Sequence, residues 1–116
     1  MVFLQLWCVA NQNGYIYGFS PYPGDAEKST RAYDLGSSSN VVCYFAHRLR
    51  QRFTEPQNIH ISMDNYFTSP SLLDYLRKDL NVYATGTLRP NRVRSLPIDL
   101  DAMKHEERGS YDYRYA

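Results

Sequence analysis

The stretch IHISMDNYFTSPSLLDYLRKDLNVYATG, residues 59–86, decides the fold. Ile59, Ile61 and Met63 alternate with His60 and Ser62, the period-two pattern of a half-buried strand that runs up to Asp64. By the same parity Asp64 shares a sheet face with His60 and Ser62. Ser69-Pro70 then supplies a helix start. The serine hydroxyl can accept from an amide of the first turn, and proline, which lacks an N–H, suits the first helical position. Leu72, Leu73, Leu76 and Leu80 lay an apolar stripe along this short helix. Val82, Tyr83, Ala84 and Thr85 read as another strand, closed by Gly86. A helix between two neighbouring strands implies a right-handed crossover and a parallel pair.

Upstream, Val42, Phe45, Ala46, Leu49 and Phe53 recur at one face of a helix, with His47, Arg48, Arg50 and Gln51 on the others. Ser37 to Ser39 offer its N-cap, and Pro56 bars continuation beyond its end. Ser20 to Ser39, rich in Gly, Pro, Ser and Asp, reads as a loop. Earlier still, Val2 to Ala10 is an apolar run short enough for a buried strand. Asn13-Gly14 follows as a two-residue hairpin turn with both residues at positive φ, and Tyr15 to Phe19 is the returning strand. The expected order is therefore strand, strand, helix, strand, helix, strand. Downstream, Arg89 to Arg94 is a basic, proline-broken loop, and Leu96 to Glu107 shows no clear face. Gly109 to Ala116 alternates tyrosines like a strand cut off at the C-terminus.

With 116 residues the chain holds at most one domain, and its 43% hydrophobic content suits a globular one. A net charge of +1 provides no overall pull toward nucleic acid, so any DNA contact must come from local clusters. Cys8 and Cys43 stand far apart, with no disulfide framework and no zinc spacing. They read as two buried thiols of a reducing compartment. The apolar start lacks the basic flank of a signal peptide and the length of a membrane span, which places the protein inside the cell and off the membrane.

A carboxylate where a strand ends beside a helix start is a common place for a ligand in α/β sheets. Taken alone, Asp64 is better read as the cap of its own turn. The words around it shift that balance. Asp64-Asn65-Tyr66-Phe67-Thr68-Ser69 resembles the block around the second catalytic aspartate of piggyBac transposases. Gly86-Thr87-Leu88-Arg89-Pro90-Asn91-Arg92 is similar to that family's Gly-Thr-aliphatic-Arg-x-Asn-basic block, and Leu96-Pro97 follows as in its members. Trp7 and Gly14-Tyr15 resemble the strands before the family's first long helix, and Arg108-Gly109-Ser110 the entry to its inserted subdomain. The resemblance covers nearly the whole chain, in order.

It implies an α/β, RNase H-like fold in partial form: hairpin, helix, strand, helix, strand, without the first strand and the C-terminal part. Residues 1–108 would be the partial transposase domain and 109–116 the start of the inserted subdomain. The family's chemistry is phosphodiester cleavage and strand transfer on DNA, with two Mg²⁺ or Mn²⁺ ions on three aspartates. Asp64 matches the middle acid, as catalytic residue and metal ligand. The first and third acids are expected before Met1 and after Ala116. Asp25, Asp34, Asp74, Asp79, Asp99, Asp101 and Asp112 match neither position. One carboxylate does not hold two hard cations, so the chain alone is expected to be inactive. Loss of a central strand would leave edges open to self-association.

Arg89, Asn91, Arg92 and Arg94 fall at the same sheet edge as Asp64, where arginines could fork onto DNA phosphate. A solvated loop with incidental charge explains them equally well. Arg48, Arg50 and Arg52 read as a solvent face, and His47, His60 and His105, which lack metal-ligand spacing, as ordinary surface or boundary histidines. The resemblance also implies a nuclear location. A non-catalytic DNA-binding or protein-interaction module derived from a transposase is the alternative function.

Overall fold

The computed structural model describes residues 6–21, 35–54 and 58–115. Its elements are β1 (Leu6–Ala10), β2 (Ile16–Pro21), α1 (Ser37–Arg52), β3 (His60–Met63), α2 (Pro70–Leu80), β4 (Tyr83–Gly86), a 3₁₀ turn (Pro90–Arg92) and α3 (Leu100–Met103). The chain is thus a mixed α/β structure in the expected order. Residues 2–5 of the first apolar run, most of the loop before α1, and Pro56 lie outside the described residues.

The core forms where the two helices meet the parallel pair. Val42, Cys43 and Ala46 of α1 cluster with Leu72 and Leu76 of α2 and with Val82. Leu72, Leu76 and Val82 are sealed from solvent; burying each such side chain stabilises the fold by about 1.5–3 kcal/mol. Ile61, Met63 and Ala84 pack against this cluster from one sheet face, while His60, Ser62, Tyr83 and Thr85 stay exposed on the other. β3 and β4 pair in parallel with Ile61 opposite Ala84 and Met63 opposite Gly86. Asn81, at φ 52, ends α2 in the left-handed conformation, one of the few that turns the chain straight into Val82 and β4.

β1 and β2 form a separate antiparallel sheet. Their turn differs from the expected two-residue one. The Gly14 amide donates to the Asn11 carbonyl at 3.0 Å and the Asn11 amide to the Tyr15 carbonyl at 2.9 Å, so the turn is centred on Gln12 and Asn13. Only Gly14, at φ 85, takes a positive φ. The cause is the side chain of Asn11: its amide oxygen accepts from the backbones of Asn13 and Tyr15, at 3.0 Å each. That local bond selects a longer loop over the tight one.

Three further expectations are corrected. Ser37 to Ser39 do not cap α1; Gly36 stands at the N-cap with no side-chain hydrogen bond, and Ser39 is buried inside the first turn. Its hydroxyl is drawn away by a tertiary partner, the Phe67 carbonyl at 3.3 Å. Cys43 is buried as expected, but Cys8 is exposed, because β1 turns Trp7 and Val9 inward and its alternate residues outward. Residues 110–115 form no strand and pair with none of the described strands, and Tyr111, Tyr113 and Tyr115 are exposed.

The hairpin lies across α1 with little burial of its own. Gly18 sits under Phe45, whose ring would be 3.6 Å from an added Cβ, and Tyr17 meets Phe53 edge-on at 5.8 Å. Between β1 and β3 runs an open groove of about 960 Å³, lined by Val9, Tyr17, Phe45, Leu49, Ile59 and Ile61 among others. Among the described residues, β1 pairs only with β2 and β3 only with β4, so both strands turn an unpaired edge outward.

The Asp64 turn, a candidate metal-ligand site

β3 delivers Asp64 to the end of the parallel pair, exposed as His60 and Ser62 are. The chain there must reverse from strand to helix in the six residues between Met63 and Pro70, and Asp64 supplies much of that turn. Its carbonyl accepts from the amides of Phe67 and Thr68, both at 3.3 Å, and from the Thr68 hydroxyl at 2.8 Å. Its carboxylate Oδ1 accepts from the Tyr66 amide at 2.9 Å. The side chain is therefore a turn cap in this structure, as the residue taken alone suggested. Ser69 ends the turn: its hydroxyl accepts from the Leu72 amide at 3.2 Å and caps α2, with Pro70 opening the helix.

The carbonyls of Tyr66, Phe67 and Thr68 accept from outside the turn, and backbone carbonyls shielded from water need such partners. Side chains from distant positions provide them. Arg92 donates from Nη2 to the Tyr66 carbonyl at 2.9 Å and from Nη1 to the Thr68 carbonyl at 3.0 Å. Ser39 donates to Phe67. Trp7 of the hairpin covers the turn's aromatics, stacked on Tyr66 with centroids 5.5 Å apart and edge-on to Phe67 at 5.2 Å. Thr68 is fully buried against the end of β4. A Cβ on Gly86 would fall 2.1 Å from the Thr68 hydroxyl oxygen, so no residue but glycine fits that contact.

The four basic-loop positions separate. Arg89, Asn91 and Arg94 are exposed, whereas Arg92 is half-buried with its guanidinium directed into the turn. The 3₁₀ turn over Pro90–Arg92 produces this difference, since the Arg92 amide bonds back to the Arg89 carbonyl at 3.0 Å. The Arg92 clamp and the Ser39 contact were not legible in the sequence. Both serve carbonyls whose need for partners exists only once the turn has closed.

Around Asp64 the chemistry is sparse. His60 bonds to the Thr85 hydroxyl at 2.7 Å across the pair, and His47 to the Tyr75 hydroxyl at 2.7 Å, both structural tasks. No group of three or more His, Cys, Asp or Glu able to hold a metal ion occurs among the described residues.

Comparison with known proteins sets this turn in context. A model of the Transposase IS4 family matches residues 2–116. The human PiggyBac transposable element-derived protein 3 is 36% identical over 111 residues, which is 95% of this chain and 18% of that protein. The human PiggyBac transposable element-derived protein 2 is 38% identical over 112 residues, with the same 95% and 18% coverage. The chain belongs to the piggyBac-type transposase family. It spans less than a fifth of the length of these relatives. No solved structure matches it significantly. Members of this family are generally metal-dependent and DNA-binding, and among the described residues no helix is long and apolar enough to cross a membrane.

Proposed function

We propose that this chain is part of the catalytic domain of a piggyBac-type DNA transposase and contributes one metal-ligating carboxylate, Asp64, to a site completed by other segments. The observation that carries the reading is the Asp64 turn itself. The family's Asp-Asn-aromatic-aromatic-Thr-Ser and Gly-Thr-aliphatic-Arg blocks meet there in space, with Gly86 packed on Thr68 and Arg92 bonded to Tyr66 and Thr68. The groove between the β1 and β3 edges supports an RNase H-like sheet with one strand absent. A strand there would find backbone partners on both sides. Residues 1–108 would form the domain's partial core and 109–116 the start of an inserted subdomain.

In a complete site two divalent ions, with Asp64 among the carboxylates that would hold them, would supply activation of an attacking oxygen and stabilisation of a leaving one. The residues here do not fit the complete group. A lone carboxylate with one oxygen already accepting from Tyr66 supplies a single hard ligand, and Mg²⁺ or Mn²⁺ needs several. This chain's own share is to hold that ligand at a fixed sheet end, with exposed Arg89, Asn91 and Arg94 nearby for DNA phosphate. The parent enzyme would act on DNA in the nucleus.

Mn²⁺ titration of the isotope-labelled chain, read as paramagnetic broadening of amides 64–68, tests the reading. Weak broadening, with half-effect on the order of millimolar, is expected, and Asp64→Asn should abolish it. Tight binding lost in Asp64→Asn would show that the site is complete within the chain. Broadening unaffected by Asp64→Asn would remove Asp64 as the ligand.

A further inference from the structure

We propose that Arg92 is a positioning residue for Asp64 and does not serve as a phosphate contact. This rests on the reading of Asp64 as a metal ligand. Arg92 comes from the loop after β4, yet each of its terminal nitrogens donates to the turn after β3, at 2.9 Å to the Tyr66 carbonyl and 3.0 Å to that of Thr68. Those residues bracket the part of the turn that fixes the carboxylate. Tyr66 is also the residue whose amide holds Asp64 Oδ1, and Thr68 is the residue whose hydroxyl and amide hold the Asp64 carbonyl.

A guanidinium suits this task because its nitrogens form a rigid planar fork that can span two acceptors, whereas an ammonium is a point donor on a flexible stem. Both acceptors are neutral carbonyls, so the arginine keeps its full charge. It lies half-buried beneath the turn and places a fixed positive charge near the carboxylate's backbone without an ion pair. Closure of the turn therefore depends on a residue outside it, and the Asp64 rotamer is set by the loop that follows β4. Gly86 completes the device. Any side chain there would push Thr68 and, through it, the carbonyl that Arg92 grips.

Nuclear magnetic resonance of the ¹⁵N-labelled chain tests the assignment. In the wild type the Arg92 guanidinium protons should exchange with solvent more slowly than those of Arg89 and Arg94. Arg92→Gln should speed amide exchange at Tyr66, Phe67 and Thr68 by on the order of tenfold or more. Leu76 should be unchanged, and the Tyr66 amide resonance should move toward its position in Asp64→Asn. Arg92→Lys should recover part of the protection. A phosphate contact predicts something else: Arg92→Gln would leave residues 66–68 unchanged and lower the salt dependence of duplex DNA binding by about one unit of slope, and that result would overturn the proposal. Equal guanidinium exchange for the three arginines would overturn it as well, and this wild-type measurement stands even if Arg92→Gln fails to fold. If Asp64→Asn leaves Mn²⁺ broadening intact, the ligand reading falls, while the exchange data still decide whether Arg92 holds the turn.

Discussion

The hairpin and the β3–α2–β4 unit have similar sequence character but are held by different means. The latter encloses Leu72, Leu76 and Val82 completely and shares its cluster with α1. The hairpin contains no buried residue at all, and Leu6, Ile16 and Phe19 are exposed along it. It is tied down by a few aromatic contacts, Trp7 on the Asp64 turn and Tyr17 on Phe53. A helix crossing between parallel strands covers one sheet face by its own connectivity. A hairpin has no such cover and must borrow a partner. The groove along β1 marks where that borrowing is incomplete.

The contrast can be broken most forcefully at Leu76. Leu76→Ala should destabilise the fold by about 2–5 kcal/mol, measured by urea unfolding, because Leu76 is fully buried in the core cluster and its loss leaves a cavity there. A loss below about 1 kcal/mol would mean that the α2 core is far looser than its burial indicates.

The two thiols sharpen the comparison. Burial pushes the Cys43 thiol up to about 11, while Cys8 lies exposed on the hairpin. A thiol reagent at neutral pH should label Cys8 promptly and Cys43 only on unfolding. The linkage also has a sign. The folded thiol holds its proton longer than the unfolded one, whose ordinary value is 9.0. Stability from this group is therefore complete below pH 9 and declines as pH rises toward about 11. Equal labelling rates at Cys8 and Cys43 in the folded chain would contradict the burial of α1.

The smallest effect is expected at Phe19, 65% exposed on β2. Phe19→Ser should change stability by no more than about 0.5 kcal/mol. A larger loss would show that the hairpin's outer face is covered in solution, by a second copy or another part of a longer protein.

The sequence by itself determined the order of elements, the helix faces, the Ser69-Pro70 start and the parallel crossover. Each of these follows from local periodicity or from a residue's own backbone preference. Ile61 and Met63 face inward because a strand alternates, and Leu72 and Leu76 because a helix turns every 3.6 residues. Asp64 was legible as a turn cap, and the family blocks add the expectation of a ligand.

What only the tertiary structure decided were the polar contacts that link separate segments. Ser39 left the helix cap to reach Phe67, and Arg92 turned from solvent to the Asp64 turn. A hydroxyl, an amide or a guanidinium can satisfy many partners. Which one it meets depends on which backbone groups the closed fold leaves unpaired, and that is fixed only when distant segments come together.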